Sequence, residues 1–224
     1  MELSRLERLA LLPKVERDQY LSQFSNEELS RLIESYEFKA RPKQKFPEVV
    51  YRIWLILSGR GFGKSFIGSN WVINQAQKQK YPIALIGSNA ADVRDYMVEQ
   101  GESSIIKQAP KWFTPVYQSS KRRLVFPNGV IAITYTAEDP DQLRGFNGSR
   151  AWMDELAKYQ YPKETWDNLQ FALRLGEQPK ICITTTPRPL QLIKDLWKDP
   201  TVIKTIGSTK ENRANLADSF IHYV

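Results

Sequence analysis

The run Gly59-Arg60-Gly61-Phe62-Gly63-Lys64-Ser65 spaces three glycines at alternate positions and ends in a cation followed by a hydroxyl. Glycine lets the backbone enter turns closed to other residues, so successive N–H groups can aim at one point. A lysine closing such a turn neutralises the outer phosphates of a nucleotide, and the serine hydroxyl offers an oxygen ligand to Mg2+. The Gly-Lys-Ser triplet alone is a weak signal, but its setting is specific. IWLILS, Ile53 to Ser58, is a short apolar run of the kind buried on both faces of a sheet, and Lys64 to Lys80 reads as a helix. Strand, glycine-rich turn and helix together form a phosphate cradle. The pattern departs from the usual one at Ser58, where glycine ordinarily stands five residues before the Gly-Lys pair.

A second apolar run, AWMDEL, ends in adjacent acids, Asp154 and Glu155. If both lie on the strand they face opposite ways, leaving Asp154 for a metal and its waters and Glu155 for polarising an attacking water. That division favours ATP hydrolysis over phosphoryl transfer to a small molecule. ICITTTPRP sets three threonines at the carboxyl end of another strand, where open α/β sheets collect ligands. There Thr185 and Thr186 are candidates for hydrogen bonding to the terminal phosphate. Two arginines are candidates for stabilising transition-state charge. Arg60 lies inside the phosphate turn, and Arg144, in DQLRGFNGS, which reads as a flexible glycine-flanked loop, is favoured as a residue presented to a neighbouring subunit.

The elements that must position these groups are legible in outline. The first forty residues read as helix, with Ser25 and Glu28 as a capping box and Leu29, Leu32 and Ile33 on one face. ARPKQKFP, Ala40 to Pro47, breaks that pattern, so residues 1–40 form a helical lead-in or lid and 41–224 the main domain. Ile83–Ser88, Ala151–Glu155, Lys180–Thr186 and VIKTIG read as further strands, with helices over about 163–175 and 190–197. RRLVF and VIAITYT flank Asn128-Gly129 as an inserted antiparallel hairpin. The fold class that follows is α/β: a P-loop NTPase with a mainly parallel, doubly wound sheet flanked by helices.

Composition limits the chemistry. With one cysteine, Cys182, and one histidine, His222, the chain can build neither an internal disulfide nor a soft-ligand metal site, so oxygen must hold any metal. Cys182, inside an apolar strand, reads as a small buried hydrophobe. Lys and Arg number 32 against 25 Asp and Glu, a charge of +7 that suits a polyanion and equally serves solubility. Lys121, Arg122 and Arg123, with Lys111 and Trp112 upstream, form a basic strip that either tracks phosphates or simply faces water. No run approaches the ~18 apolar residues of a membrane span, and no secretory signal opens the chain, so a cytosolic location is expected.

In order and spacing, ARPKQKFP, WLILSGRGFGKS, SKRRLVFPNGVIAITYTAEDPDQLRG, AWMDELAKY, LRLGEQP, TTTPRP and GSTKENRANLADSF resemble the large terminase subunit of tailed bacteriophages, from about Arg41 onward. The resemblance implies an ATP- and Mg2+-dependent motor that drives double-stranded DNA into a preformed procapsid. Its implied partners are the portal protein and the small terminase subunit. It implies a homo-oligomeric ring on the portal, with a monomer allowed in isolation, in the host cytoplasm. Gln44 takes the place of the adenine-contacting glutamine, Lys64 and Ser65 of the loop cation and hydroxyl, and Asp154 and Glu155 of the metal and water residues. Thr184 to Thr186 match the coupling motif, and Arg144 the trans-acting arginine, with Arg60 as rival. The family's nuclease domain is expected to be absent, since ENRANLADSFIHYV carries too few acids for its metal site. A helicase-like remodelling ATPase, a P-loop small-molecule kinase and a non-catalytic DNA-binding scaffold remain the competing readings.

Overall fold

A computed structural model describes residues 2–223, divided into two compact units, Met1–Phe46 and Pro47–Val224. The first unit is helical: α1 (Arg5–Leu11), α2 (Lys14–Leu21), α3 (Asn26–Glu34) and α4 (Tyr36–Lys39), then a 3-10 turn over Pro42–Gln44. Ser25 caps α3 and Glu28 returns the bond to the Ser25 N–H, satisfying helix-end donors reciprocally, and Ser4 with Glu7 does the same for α1. No residue of α3 is buried, and Ile33 is 52% exposed, so its apolar face is shallower than its pattern suggests.

The second unit is built on an eight-stranded sheet in the order β3-β4-β5-β2-β6-β7-β1-β8. Along the chain come β1 (Ile53–Ser58), α5 (Lys64–Lys78), β2 (Ile83–Gly87), α6 (Ala90–Asp92), a π-helical stretch over Val93–Glu99, and α7 (Ile105–Gln108). They are followed by β3 (Val116–Gln118), β4 (Arg123–Val125), β5 (Ile131–Thr136), β6 (Arg150–Asp154), α8 (Pro162–Ala172), β7 (Lys180–Thr185), α9 (Gln191–Lys198) and β8 (Ile203–Gly207). The last helix is α10 (Asp218–Tyr223). Strands β5, β2, β6, β7, β1 and β8 run parallel, and β3 and β4 add an antiparallel edge. The expected hairpin is therefore β4–β5, and β3 extends it by a strand that three partly exposed residues could not announce.

Period two divides the sheet's faces. Leu55, Leu57, Ile86, Met153 and Ile183 enter one core with Leu169 of α8 and Ile193 and Leu196 of α9. Burial of that many large side chains, each contributing roughly 1.5–3 kcal/mol, holds the crossovers in place. α5 covers the other face so closely that a Cβ on Gly68 would lie 2.0 Å from Trp152. That helix therefore fits only where glycine stands. Cys182 is fully buried in β7, and burial raises its thiol pKa well above normal, as a small core residue requires.

The topology decides where chemistry can occur. After β1 the chain crosses past β7 and β6 to reach β2, so a crevice opens at the carboxyl ends of β1, β7 and β6. In the register across it, Ile56 pairs with Thr184 and Thr184 with Asp154.

Candidate nucleotide-hydrolysis site

Three strand ends meet at this crevice. From β1 the chain enters the turn with Gly61 at φ 77° and Gly63 at φ 102°, both in the left-handed region that glycine alone enters freely. Gly63 is the N-cap of α5 and supplies no side-chain acceptor, so the first N–H groups of a fifteen-residue helix open toward the loop. Lys64 is 7% exposed, and its ammonium donates to the Ser58 and Gly59 carbonyls at 3.4 and 3.3 Å. It also lies 3.3 Å from Glu155 Oε1, joining loop and acidic strand in one ion pair.

Asp154 ends β6. Trp152 Nε1 donates to Thr184 Oγ1 at 2.8 Å, and that hydroxyl donates to Asp154 Oδ1 at 2.6 Å, a relay that fixes the carboxylate's direction. Desolvation raises the Asp154 pKa to about 6, against the Thr184 hydrogen bond, which lowers it. Glu155 diverges from Asp154, but not by strand alternation. The strand stops at Asp154, and Glu155 turns into the left-handed region at φ 51° while its N–H bonds the Thr184 carbonyl at 2.6 Å. For a residue with a Cβ this costs about 1–3 kcal/mol, sustained by the packed surroundings. Thr186 holds the carboxylate at Oε2 through its hydroxyl at 3.0 Å and its N–H at 3.3 Å.

Ser65, Ser88, Asp92, Asp154, Glu155 and Lys158 line one cavity of about 270 Å³. The set fits a nucleotide with Mg2+. Mg2+ keeps several waters and takes one or two protein oxygens beside phosphate, and Ser65 with Asp154 supplies that number. No group of three or more His, Cys, Asp or Glu residues suited to hold a metal occurs among the described residues.

The sequence places this arrangement in a lineage. Residues 55–221 match the sequence profile of the N-terminal part of the terminase large subunit, T4-like-virus type. The chain belongs to that terminase family. Solved structures agree in fold. The large terminase ATPase domain of Thermus phage P74-26 superposes with a TM-score of 0.63 at 14% identity, over 88% of this chain and 91% of that one. The large terminase of another thermophilic bacteriophage, in complex with ATP-gamma-S, gives 0.62 at 14% identity, over 89% of this chain and 48% of that one. The present chain thus spans about half the length of that second protein. A chain of the bacteriophage Phi-29 genome packaging motor assembly gives 0.52 at 17% identity, over 73% of this chain and 57% of that one.

Within this terminase domain the remaining expected site residues separate. Glu155, Lys64, Ser65, Asp154 and Thr186 converge on the crevice. The Thr185 hydroxyl is buried and accepts from the Ala157 N–H at 3.0 Å, bracing the turn after Glu155. Phe62 is 1% exposed and packs so closely on Gly207 that a Cβ there would lie 2.2 Å from its ring, so its side chain serves the core. Arg60 is exposed. Arg144 is also exposed, bonded through Nε to Asp141 at 3.1 Å. Its segment is not a flexible loop but a 3-10 helix over Pro140–Gly145, tied to α8 by Asn168 Nδ2 on the Pro140 carbonyl at 3.0 Å. Gln44 lies in the first unit, where its Oε1 accepts from the Arg41 N–H at 3.0 Å. In the basic strip, Lys111, Trp112, Lys121 and Arg122 are exposed, while Arg123 Nε bonds Gln118 at 2.8 Å.

Sequence reasoning singles out Thr184 only through the coupling motif and passes over Trp152, so the relay that joins both to Asp154 escapes it. Asp154 gives it a measurable consequence. The folded carboxyl keeps its proton to about pH 6 and the unfolded one releases it near 3.8. Without divalent cation, wild-type stability relative to Asp154→Asn should therefore fall as pH rises from 4 to 6, by at most about 3 kcal/mol, and then level. Urea midpoints measured in EDTA across that range test this; a difference independent of pH contradicts it.

Proposed function

We propose that the chain hydrolyses ATP to move double-stranded DNA into a viral procapsid, working as a ring on the portal with the small terminase subunit, in the host cytoplasm. The observation carrying this reading is the meeting of Lys64, Asp154 and Glu155 at one crevice within a terminase family domain.

The loop amides and Lys64 grip the phosphates, with Ser65 and Asp154 as the residues that would hold Mg2+. Bound there, Mg2+ would neutralise the charge that develops on the phosphate oxygens. A triphosphate offers Lys64 more negative charge than Glu155 does, so its arrival releases the carboxylate from the ammonium. Thr186 keeps Glu155 oriented, and the carboxylate then accepts a proton from the attacking water. Arg144, exposed on a 3-10 helix, is suited to reach a neighbouring subunit; Arg60 is the alternative. Gln44 is proposed to contact adenine, and the basic strip to follow DNA phosphates.

Phosphate release from MgATP tests the reading. Turnover should be slow in dilute protein and rise faster than linearly with concentration as subunits complete each other's sites, and Arg144→Ala should remove that increment. Translocation on duplex without strand displacement distinguishes a packaging motor from a helicase-like remodeller. No nucleotide binding, or phosphate delivered to an organic acceptor, would sink the proposal.

A further inference from the structure

The outer side of the phosphate loop is covered by residues far away in the chain. Thr209 Oγ1 donates to the Arg60 carbonyl at 2.7 Å and Asn212 Nδ2 to the Gly61 carbonyl at 2.5 Å. The Gly59 N–H donates to the Gly207 carbonyl at 3.1 Å, carrying the β1–β8 pairing into the loop. A Cβ on Gly59 would lie 2.6 Å from Thr209 Oγ1, and one on Gly61 would lie 3.0–3.1 Å from Leu216 and Phe220. The chain kinks at Asn212, where φ is −108° and ψ 18°, between two 3-10 turns. Two glycines that the sequence attributes to phosphate approach are thus also closely covered from behind.

We propose that residues 207–220 clamp the phosphate loop, with Thr209 and Asn212 as positioning residues for nucleotide binding. In a trans peptide the carbonyl and the following N–H point in opposite directions. Holding the Arg60 and Gly61 carbonyls outward therefore turns the N–H groups of Gly61 and Phe62 to the inner side of the loop. There the Phe62 N–H donates a long bond to the Gly59 carbonyl at 3.5 Å, which a phosphate oxygen would have to replace. Preorganised amides bind phosphate without first reordering the chain, and they act equally on ground and transition states. The clamp consequently sets affinity more than turnover. By linkage, occupancy of the loop also steadies residues 207–220, so the segment reports the nucleotide state.

The proposal rests on the phosphate loop being a nucleotide site, and the test separates the two. Thr209→Val keeps shape and removes the donor; Thr209→Ser keeps the donor. Titration calorimetry with MgADP should show Kd raised about tenfold by Thr209→Val and by Asn212→Ala, with Thr209→Ser close to wild type. KM for ATP should rise in parallel while kcat stays within about twofold. In the wild type, MgADP should also slow amide hydrogen exchange across 209–216, a reading that needs no variant to fold. Unchanged affinity in Thr209→Val and Asn212→Ala, equal loss in Thr209→Ser, a fall in kcat at constant KM, or unaltered exchange across 209–216 would each overturn the clamp alone. Failure of the wild type to bind MgADP would overturn the phosphate site and the clamp with it.

Discussion

Glu155→Gln is expected to lower the rate of ATP hydrolysis by about 10²–10⁴ while leaving nucleotide binding intact or tighter. The amide keeps the size of the side chain and can still accept from Thr186, whose hydroxyl lies 3.0 Å from Oε2 in the wild type. What it loses is basicity, since an amide cannot take a proton from water at neutral pH. It also loses the charge that holds Lys64 at 3.3 Å, so the ammonium reaches phosphate without first leaving a partner. The left-handed backbone at φ 51° tolerates glutamine no worse than glutamate, so folding should be preserved. Single-turnover phosphate release beside calorimetric ATP binding measures the two effects separately. A rate within tenfold of wild type would remove Glu155 from the chemical step.

Lys64→Ala should abolish detectable turnover, a loss of about a thousandfold or more, and weaken ATP binding by a comparable factor. Lys64 is buried, and its ammonium is held by two carbonyls and a carboxylate at the turn where the phosphates must sit. Removing it also leaves the Ser58 and Gly59 carbonyls and Glu155 without their shared donor. Because Glu155 keeps Thr186 and some solvent contact, the metal-free protein should lose only about 1–2 kcal/mol, well short of a fully buried broken pair. Denaturant midpoints of Lys64→Ala, Glu155→Gln and the double variant would give the coupling energy directly. If the two changes add without coupling, the ion pair contributes nothing to the resting state.

These expectations join groups that the linear chain presents very differently. β1 has the bounds its apolar run sets, Ile53–Ser58, and Ser25 with Glu28 forms the capping box its spacing requires. Both follow from interactions complete within a few residues, as does the glycine-rich turn before α5. The mainly parallel direction of the strands was legible because strands alternating with helices are joined by crossovers, which connect parallel strands. Elsewhere local pattern failed. The expected helix over 163–175 ends at Ala172, because Leu173 bridges to Gly148 and leaves the helical path. Strand β3 exists only through its pairing with β4.

The chemically capable residues were fixed by the sequence itself: Lys64, Ser65, Asp154 and Glu155 stand where strand ends and a glycine turn must put them. Tertiary structure alone decided how they are held. Glu155 diverges through a backbone turn bonded to the neighbouring strand, Asp154 is aimed by Thr184 and Trp152, and the loop is backed by Thr209, 149 residues from Arg60. The reason is range: propensity and periodicity act over one or two turns of chain, whereas these hydrogen bonds arise only after the sheet order has brought distant strand ends side by side.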